Sequence, residues 1–244
     1  MYSKMELDTE YSTIAFFNPE NAERYKEYAA INPDMKADEI VWRVNNNLDK
    51  EKYNFDVPVF DYNNSYIIVN KYFKLPEDYC PPDLVNADGC LMRKDTADAY
   101  TRMRDAADSE GFSISVTSAY RSVNEQKMLY DKFLRDDPAS VVDETCARPC
   151  YSEHHTGMAI DVQGSIPGPR NISNTPEAAW IKENCFKFGF IIRYLPEIVE
   201  ITGYASEPWH LRYVGVDVST DMRERNIKSF EEYSERFLKT KNTY

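Results

Sequence analysis

The sequence is short of positive charge: 29 Lys and Arg stand against 41 Asp and Glu, a formal net charge of −12 over 244 residues. Nucleic acids and anionic lipid head groups are held chiefly by Lys and Arg on phosphates, so this balance excludes an extended polyanion-binding surface and leaves room only for a locally basic pocket. Long apolar runs are also missing. The longest, such as Tyr66-Ile67-Ile68-Val69 and Phe190-Ile191-Ile192, fall far short of the ~18–20 residues of a membrane-spanning helix, and no transmembrane segment is expected. The N-terminus, MYSKMELDTEYSTIAFFNPEN, lacks a basic n-region, and its run Ile14-Ala15-Phe16-Phe17 is too short for the h-region of a secretory signal. An exported chain whose signal has been trimmed fits this pattern as well as a cytosolic one does. There is no repeat, no low-complexity tract, no CxxC pair and no HExxH helix, which sets aside zinc knuckles and the helical zinc-peptidase motif. Histidine is scarcest of all the chemistry-bearing residues, with three in the chain.

At roughly 100–200 residues per domain, the length fits one domain with an appendage or two small ones. A hydrophobic fraction of 42% is ordinary for a globular chain with a sizeable core. The cysteines are Cys80, Cys90, Cys146, Cys150 and Cys185. Cys80 and Cys90 (CPPDLVNADGC), and Cys146 and Cys150 (CARPC), are spaced to close small disulfide rings in an oxidising compartment, while Cys185 reads as a plain buried thiol. Five free thiols would count against such a compartment.

Residues 1–60 are polar, with helical segments expected over 19–31, where Asn18 is an N-cap candidate and Pro19 takes the first helical position, and over 37–48. They read as an N-terminal helical extension to a main domain of residues 61–244. Short strands are expected over 66–69, 112–118, 157–162, 189–192 and 211–214. Helices are expected over 95–107, from Val123 to about Leu134 behind a Ser122/Glu125 capping box, over 176–188 behind a Thr175 cap, and in the charged tail from Ser219. This mixture predicts an α+β fold rather than a doubly wound sheet: a small antiparallel sheet flanked by helices.

All three histidines fall in two short segments, Ser152-Glu153-His154-His155-Thr156-Gly157-Met158-Ala159-Ile160-Asp161 and Glu207-Pro208-Trp209-His210. Asp161 lies between Ile160 and Val162, where an unpaired carboxylate is costly to bury, so it needs a cation. Gly157 permits a tight approach from His154 into the strand. Imidazole nitrogen and carboxylate oxygen both ligate zinc, and His154, Asp161 and His210 make three ligands with a fourth position left for water. Glu207 precedes His210 by three residues. On a regular strand the two would face apart, but Pro208 favours a bend that turns both towards one metal, which makes Glu207 the general base. A core or loop role is the plainer explanation for any one of these residues, but not for four gathered in two segments. His155 is left as a neighbour of the site.

At this point the motifs are recognisable. SEHHTGMAID (Ser152 to Asp161, pattern SxHxxGxAxD) and EPWHLRYVG (Glu207 to Gly215) resemble the zinc D-alanyl-D-alanine carboxypeptidases of the VanY type, peptidase family M15B. Upstream, YIIVNKYFKLPEDYCPPDLV is similar to that family's opening strand and loop, and SAYRSVNEQ (Ser118 to Gln126) to its substrate-binding turn. The resemblance spans about residues 66–216 and does not reach residues 1–60. It implies the LAS-type fold with the metal site on the sheet, Zn²⁺ held by His154, Asp161 and His210, and Glu207 as catalytic base. It also implies that Arg121 clamps the C-terminal carboxylate of a peptide, with hydrogen bonds from Ser118, Gln126 and Ser152. A cation at a helix N-terminus is electrostatically unfavourable, so Arg121 beside the Ser122 cap already suggests another purpose. Trp209 and Tyr213 either line the pocket or belong to the core. The CARPC loop departs from the family pattern and leaves the shape of the pocket rim open.

The expected function is therefore a D,D-carboxypeptidase acting on peptidoglycan stem peptides. Alternatives are an L,D-carboxypeptidase on tetrapeptide stems, a D,D-dipeptidase and, more remotely, a phage-type endopeptidase. Outside that class stand a zinc-stabilised wall-binding module, which would need no Glu207, and a cytosolic metallopeptidase. The expected location is extracytoplasmic at the cell wall, with the cytoplasm as alternative, and the expected state is a monomer with no nucleic-acid partner.

Overall fold

The computed structural model describes residues 10–54 and 64–239; the first nine residues and the expected boundary at residues 60/61 lie outside them. The described residues form two compact units, 10–54 with 229–239, and 64–228. The smaller unit contains helices α1 (Ala22–Ile31) and α2 (Ala37–Asn45). As expected, Asn18 caps the chain entering the first, its side chain accepting the Glu20 N–H above Pro19. The end of the chain joins this unit rather than the larger one: Arg236 donates to Asp38 at 2.9 Å, and Asn45 to Glu235 at 2.8 Å. The division thus differs from the expected 1–60 and 61–244, because side chains beyond Ser229 find their partners on α2.

The larger unit is built on strands β1 (Leu84–Ala87), β2 (Cys90–Arg93), β3 (Ser115–Ser118), β4 (Ala159–Gln163), β5 (Phe190–Tyr194) and β6 (Glu207–Tyr213). Its helices of nine residues or more are α3 (Lys94–Ser109), α4 (Val123–Phe133), α5 (Pro176–Asn184) and α6 (Val216–Glu224). Strands β3 to β6 form one antiparallel sheet in the order β3-β4-β6-β5, and β1 and β2 form a separate hairpin. The α+β architecture expected from the sequence is therefore present. Helix α3 buries Thr96, Ala99, Tyr100, Met103 and Ala107, a 3.6-residue stripe that packs on one face of the sheet. Ile160, Val162 and Leu211 meet it from β4 and β6 in one core cluster with Phe190 and Trp180. Because successive strand residues face opposite sides, Asp161 is left to the other face.

Two expectations are corrected. Residues 66–69 form no strand: Ile67 and Val69 are buried, but a single bridge pairs Asn70 with Phe73, and the Ile67 carbonyl is taken by the Arg212 guanidinium instead of a ladder. All five cysteines are free thiols, because members of each expected pair sit in different surroundings. Cys80 faces the Tyr120 hydroxyl while Cys90 packs on the main core, and Cys146 joins Tyr130 and Val142 while Cys150 donates its N–H to His155.

Candidate active site

Strand register assembles the site. Ser118 of β3 pairs with Asp161 of β4, and Asp161 pairs with His210 of β6, so three of the expected residues lie in a row across the sheet on the face away from α3. His154 reaches the same point from a short 3-10 turn, Glu153–Thr156, whose N-cap Ser152 accepts the His154 N–H. Gly157 closes that turn at φ 67°, where an added Cβ would stand 3.0 Å from Arg93 Cγ; the turn therefore requires glycine.

Near the start of β6 the ladder is irregular. Between the pairs Ile192↔Leu211 and Tyr194↔Glu207, β6 advances four residues (211 − 207) while β5 advances two (194 − 192). The surplus around Pro208 turns Glu207 and His210 to the same side, with Glu207 Oε2 3.9 Å from His210 Nδ1.

One ligand atom each from His154, Asp161 and His210 lies within 4.8 Å of the others. His154 Nδ1 stands 2.7 Å from the Ala119 carbonyl, which leaves Nε2 facing Asp161 Oδ2 at 3.3 Å. His210 offers Nδ1, 3.1 Å from Asp161 Oδ1. Burial pushes the Asp161 carboxyl up, but the two imidazoles outweigh it and hold the group below the usual carboxylate range. Burial lowers His210, yet Asp161 and Glu153 more than reverse this and raise it to about 9. A divalent cation would take the place of that proton. Two imidazoles and a carboxylate, buried and convergent, form a donor set that fits zinc. Burial pushes Glu207 up to about 7, with His210 pulling the other way, into the range of a general base at neutral pH.

These residues line a cleft of ≈ 190 Å³ that also receives Arg121, Gln126, Ser152 and Trp209. The Arg121 guanidinium is fixed by Nη1 on Gln126 Oε1 at 2.7 Å and Nη2 on Ser118 Oγ at 2.8 Å. Gln126 is in turn anchored on the Ala147 carbonyl. Ser118 is not in the cleft wall; it reaches the cleft through Arg121. Tyr213 packs edge-on against Phe190 in the core. His155 braces the loop around the site. Its Nδ1 lies 2.7 Å from the Arg121 carbonyl and its Nε2 accepts the Cys150 N–H, which pins the Arg121 backbone, and burial lowers its pKa to about 4.

Sequence reasoning missed Glu153, Arg193 and Arg212. All three are fully buried, with Glu153 Oε1 accepting from Arg193 Nε at 2.9 Å and Arg212 Nη1 at 3.0 Å. Burial raises Glu153, but the two guanidiniums override it and keep the carboxyl ionised. The available signal was an acidic residue between Ser152 and His154, in a segment otherwise assigned to metal binding. Arg170 is a further cation on the cleft wall.

An antiparallel sheet carrying a His-Asp-His cluster that could hold a metal, with a buried carboxylate beside it, is an arrangement suited to a peptidase. The family model for VanY, D-alanyl-D-alanine carboxypeptidase, matches residues 89–216. YodJ of Bacillus subtilis (strain 168), which bears the name of a carboxypeptidase, is 36% identical over 189 residues, spanning 72% of this chain and 69% of that protein. The LD-carboxypeptidase LdcB superposes with a TM-score of 0.69 at 33% identity, over 76% of this chain and 94% of that one. A vancomycin-resistance D,D-pentapeptidase VanY in complex with Zn(II) gives 0.60 at 31% identity, over 69% and 98%. The chain belongs to the VanY family and is a carboxypeptidase.

Proposed function

We propose that the protein is a zinc-dependent D,D-carboxypeptidase that hydrolyses the terminal D-Ala-D-Ala bond of peptidoglycan stem peptides; that substrate puts its work outside the membrane at the cell wall, while its five free thiols weigh towards the cytoplasmic alternative. The observation that carries the reading is the joining in one cleft of a base, Glu207, with a carboxylate receptor, Arg121. His154 Nε2, Asp161 and His210 Nδ1 would hold the zinc, which when bound lowers the pKa of a coordinated water to ~7 and polarises the scissile carbonyl. Glu207 takes the water's proton and returns it to the leaving amine. Two of the five Arg121 N–H groups are spent on Gln126 and Ser118; the rest, held in a fixed plane, receive the terminal carboxylate. Ser152 and Gln126 border the same space. Among the described residues no helix is long and apolar enough to cross a membrane.

An L,D-carboxypeptidase acting on tetrapeptide stems is the second reading, favoured by the likeness to LdcB. Release of D-Ala from a pentapeptide stem, a tetrapeptide stem and free D-Ala-D-Ala, measured side by side, separates these from a D,D-dipeptidase. The pentapeptide should be cleaved fastest, and release from none of the three overturns the reading. Glu207→Ala should still bind one zinc and lose at least ~10²-fold in turnover; a near-normal rate removes Glu207 as the base.

A further inference from the structure

The two imidazoles of the cluster present opposite nitrogens, and different partners set each one. His154 is set by a backbone carbonyl, Ala119, at Nδ1. For His210 the ring atom away from the cluster, Nε2, lies 3.5 Å from Glu153 Oε2. Both atoms are buried, and neither makes a hydrogen bond among the described residues, so each faces the other as its charged or polar counterpart. The other Glu153 oxygen accepts from both Arg193 and Arg212. Arg212 is itself fixed by donating to the Ser65 and Ile67 carbonyls at 3.0 and 2.9 Å.

A guanidinium can only donate. With two of them on one carboxylate, Glu153 is over-compensated and stays a pure acceptor, so the ring atom facing its second oxygen must be a donor. We propose that Glu153, gripped by Arg193 and Arg212, is a positioning residue for the metal centre: it accepts the Nε2–H of His210 and thereby directs the Nδ1 lone pair of that ring to the cation. The inference rests on the proposed zinc site. It gives the buried Arg193–Glu153–Arg212 group a reason to exist, since a buried charge cluster is by itself a poor source of stability, whereas an outer carboxylate that sets a ligand's tautomer governs metal affinity.

Glu153→Gln tests this because an amide cannot satisfy both sides. If its oxygen faces the two arginines, its NH₂ faces His210 Nε2 and demands an acceptor there, which moves the ring proton to Nδ1. If the amide is reversed, its NH₂ confronts two guanidinium donors. Zinc affinity, read by competition with a chromophoric chelator, should fall at least tenfold, within the roughly 10–100-fold loss typical of such partners; a smaller loss overturns the proposal.

The second measurement needs no variant. With three histidines in the chain, a long-range ¹H–¹⁵N spectrum of the zinc-loaded, imidazole-labelled protein resolves every ring. His210 should carry its proton on Nε2, and a proton on Nδ1 overturns the proposal. Should Glu153→Gln fail to fold, this spectrum decides alone. A native protein that binds no zinc sinks the metal site and this inference together. Zinc binding that is insensitive to Glu153→Gln sinks this inference only.

Discussion

Arg121, the proposed carboxylate receptor, is held in place by its own chain. It follows β3, precedes the Ser122 cap of α4, donates its own N–H to the His154 carbonyl at 3.1 Å, and has two guanidinium nitrogens tied down before any substrate arrives. Arg121→Lys keeps the charge but replaces a fixed fork with one mobile ammonium. For a peptide ending in a free carboxylate, kcat/KM should drop at least ~10-fold, about 1.4 kcal/mol of transition-state binding. The same peptide ending in an amide should be cleaved slowly by both forms and distinguish them little; an equal loss on both peptides would show that Arg121 does not read the carboxylate. The convergence of His154, Asp161, His210 and Arg121 on one cleft was legible because each sits in a segment whose composition suggests chemistry: a carboxylate between Ile160 and Val162, or a cation where a helix dipole disfavours one. Glu153 was not legible, since its meaning comes from Arg193 and Arg212, which are 40 and 59 residues away in sequence.

At the scale of elements, the caps and stops were the readable parts. The Ser122/Glu125 capping box and the Thr175 cap are both formed, because capping is a contest among neighbours a few residues apart. The β1–β2 hairpin was missed although its turn carries Asp88-Gly89 at φ 48° and 85°, the short-range signal for such a turn. Pro81 and Pro82 just before β1 oppose ladder pairing and mask that signal. Gly189 marks where the passage from α5 into β5 depends on backbone freedom. At φ +90° an added Cβ would lie 2.7 Å from Tyr213 Cε2 and 3.0 Å from the Gly215 carbonyl carbon, whereas Gly89, at φ +85°, has nothing within 4 Å. Both Gly→Ala changes carry the conformational cost of about 1 kcal/mol, but Gly189→Ala adds a collision with backbone and a packed ring, for a total of about 2–4 kcal/mol. Urea denaturation of the two variants side by side checks this, and equal midpoints would mean that the ring and backbone at Gly189 yield freely.

For the whole molecule, the class of fold followed from short strands alternating with capped helices, while the strand order β3-β4-β6-β5 and the return of residues 229–239 to the N-terminal unit depend on partners far apart in sequence. The assembly of that sheet within residues 64–228 is what the metal would stabilise. Its proposed ligands come from a turn, a central strand and a strand nearly fifty residues further on, so the site exists only when the larger unit is folded. A ligand that binds the folded state alone stabilises it by RT ln(1 + [L]/Kd), about 4 kcal/mol when zinc stands at 1,000 times its Kd. Removing zinc by chelation should then lower the melting temperature on the order of 10 °C for a unit of this size, reversibly on readdition. The variants separate ligand from base. Glu207→Ala should keep the full chelation shift, because Glu207 lies outside the ligand set, whereas His154→Ala should show little or none. If calorimetry resolves two transitions, one for each compact unit, zinc should move only the one belonging to residues 64–228. A shift of the other transition, or a full shift surviving in His154→Ala, would place the metal somewhere other than the His154, Asp161 and His210 cluster.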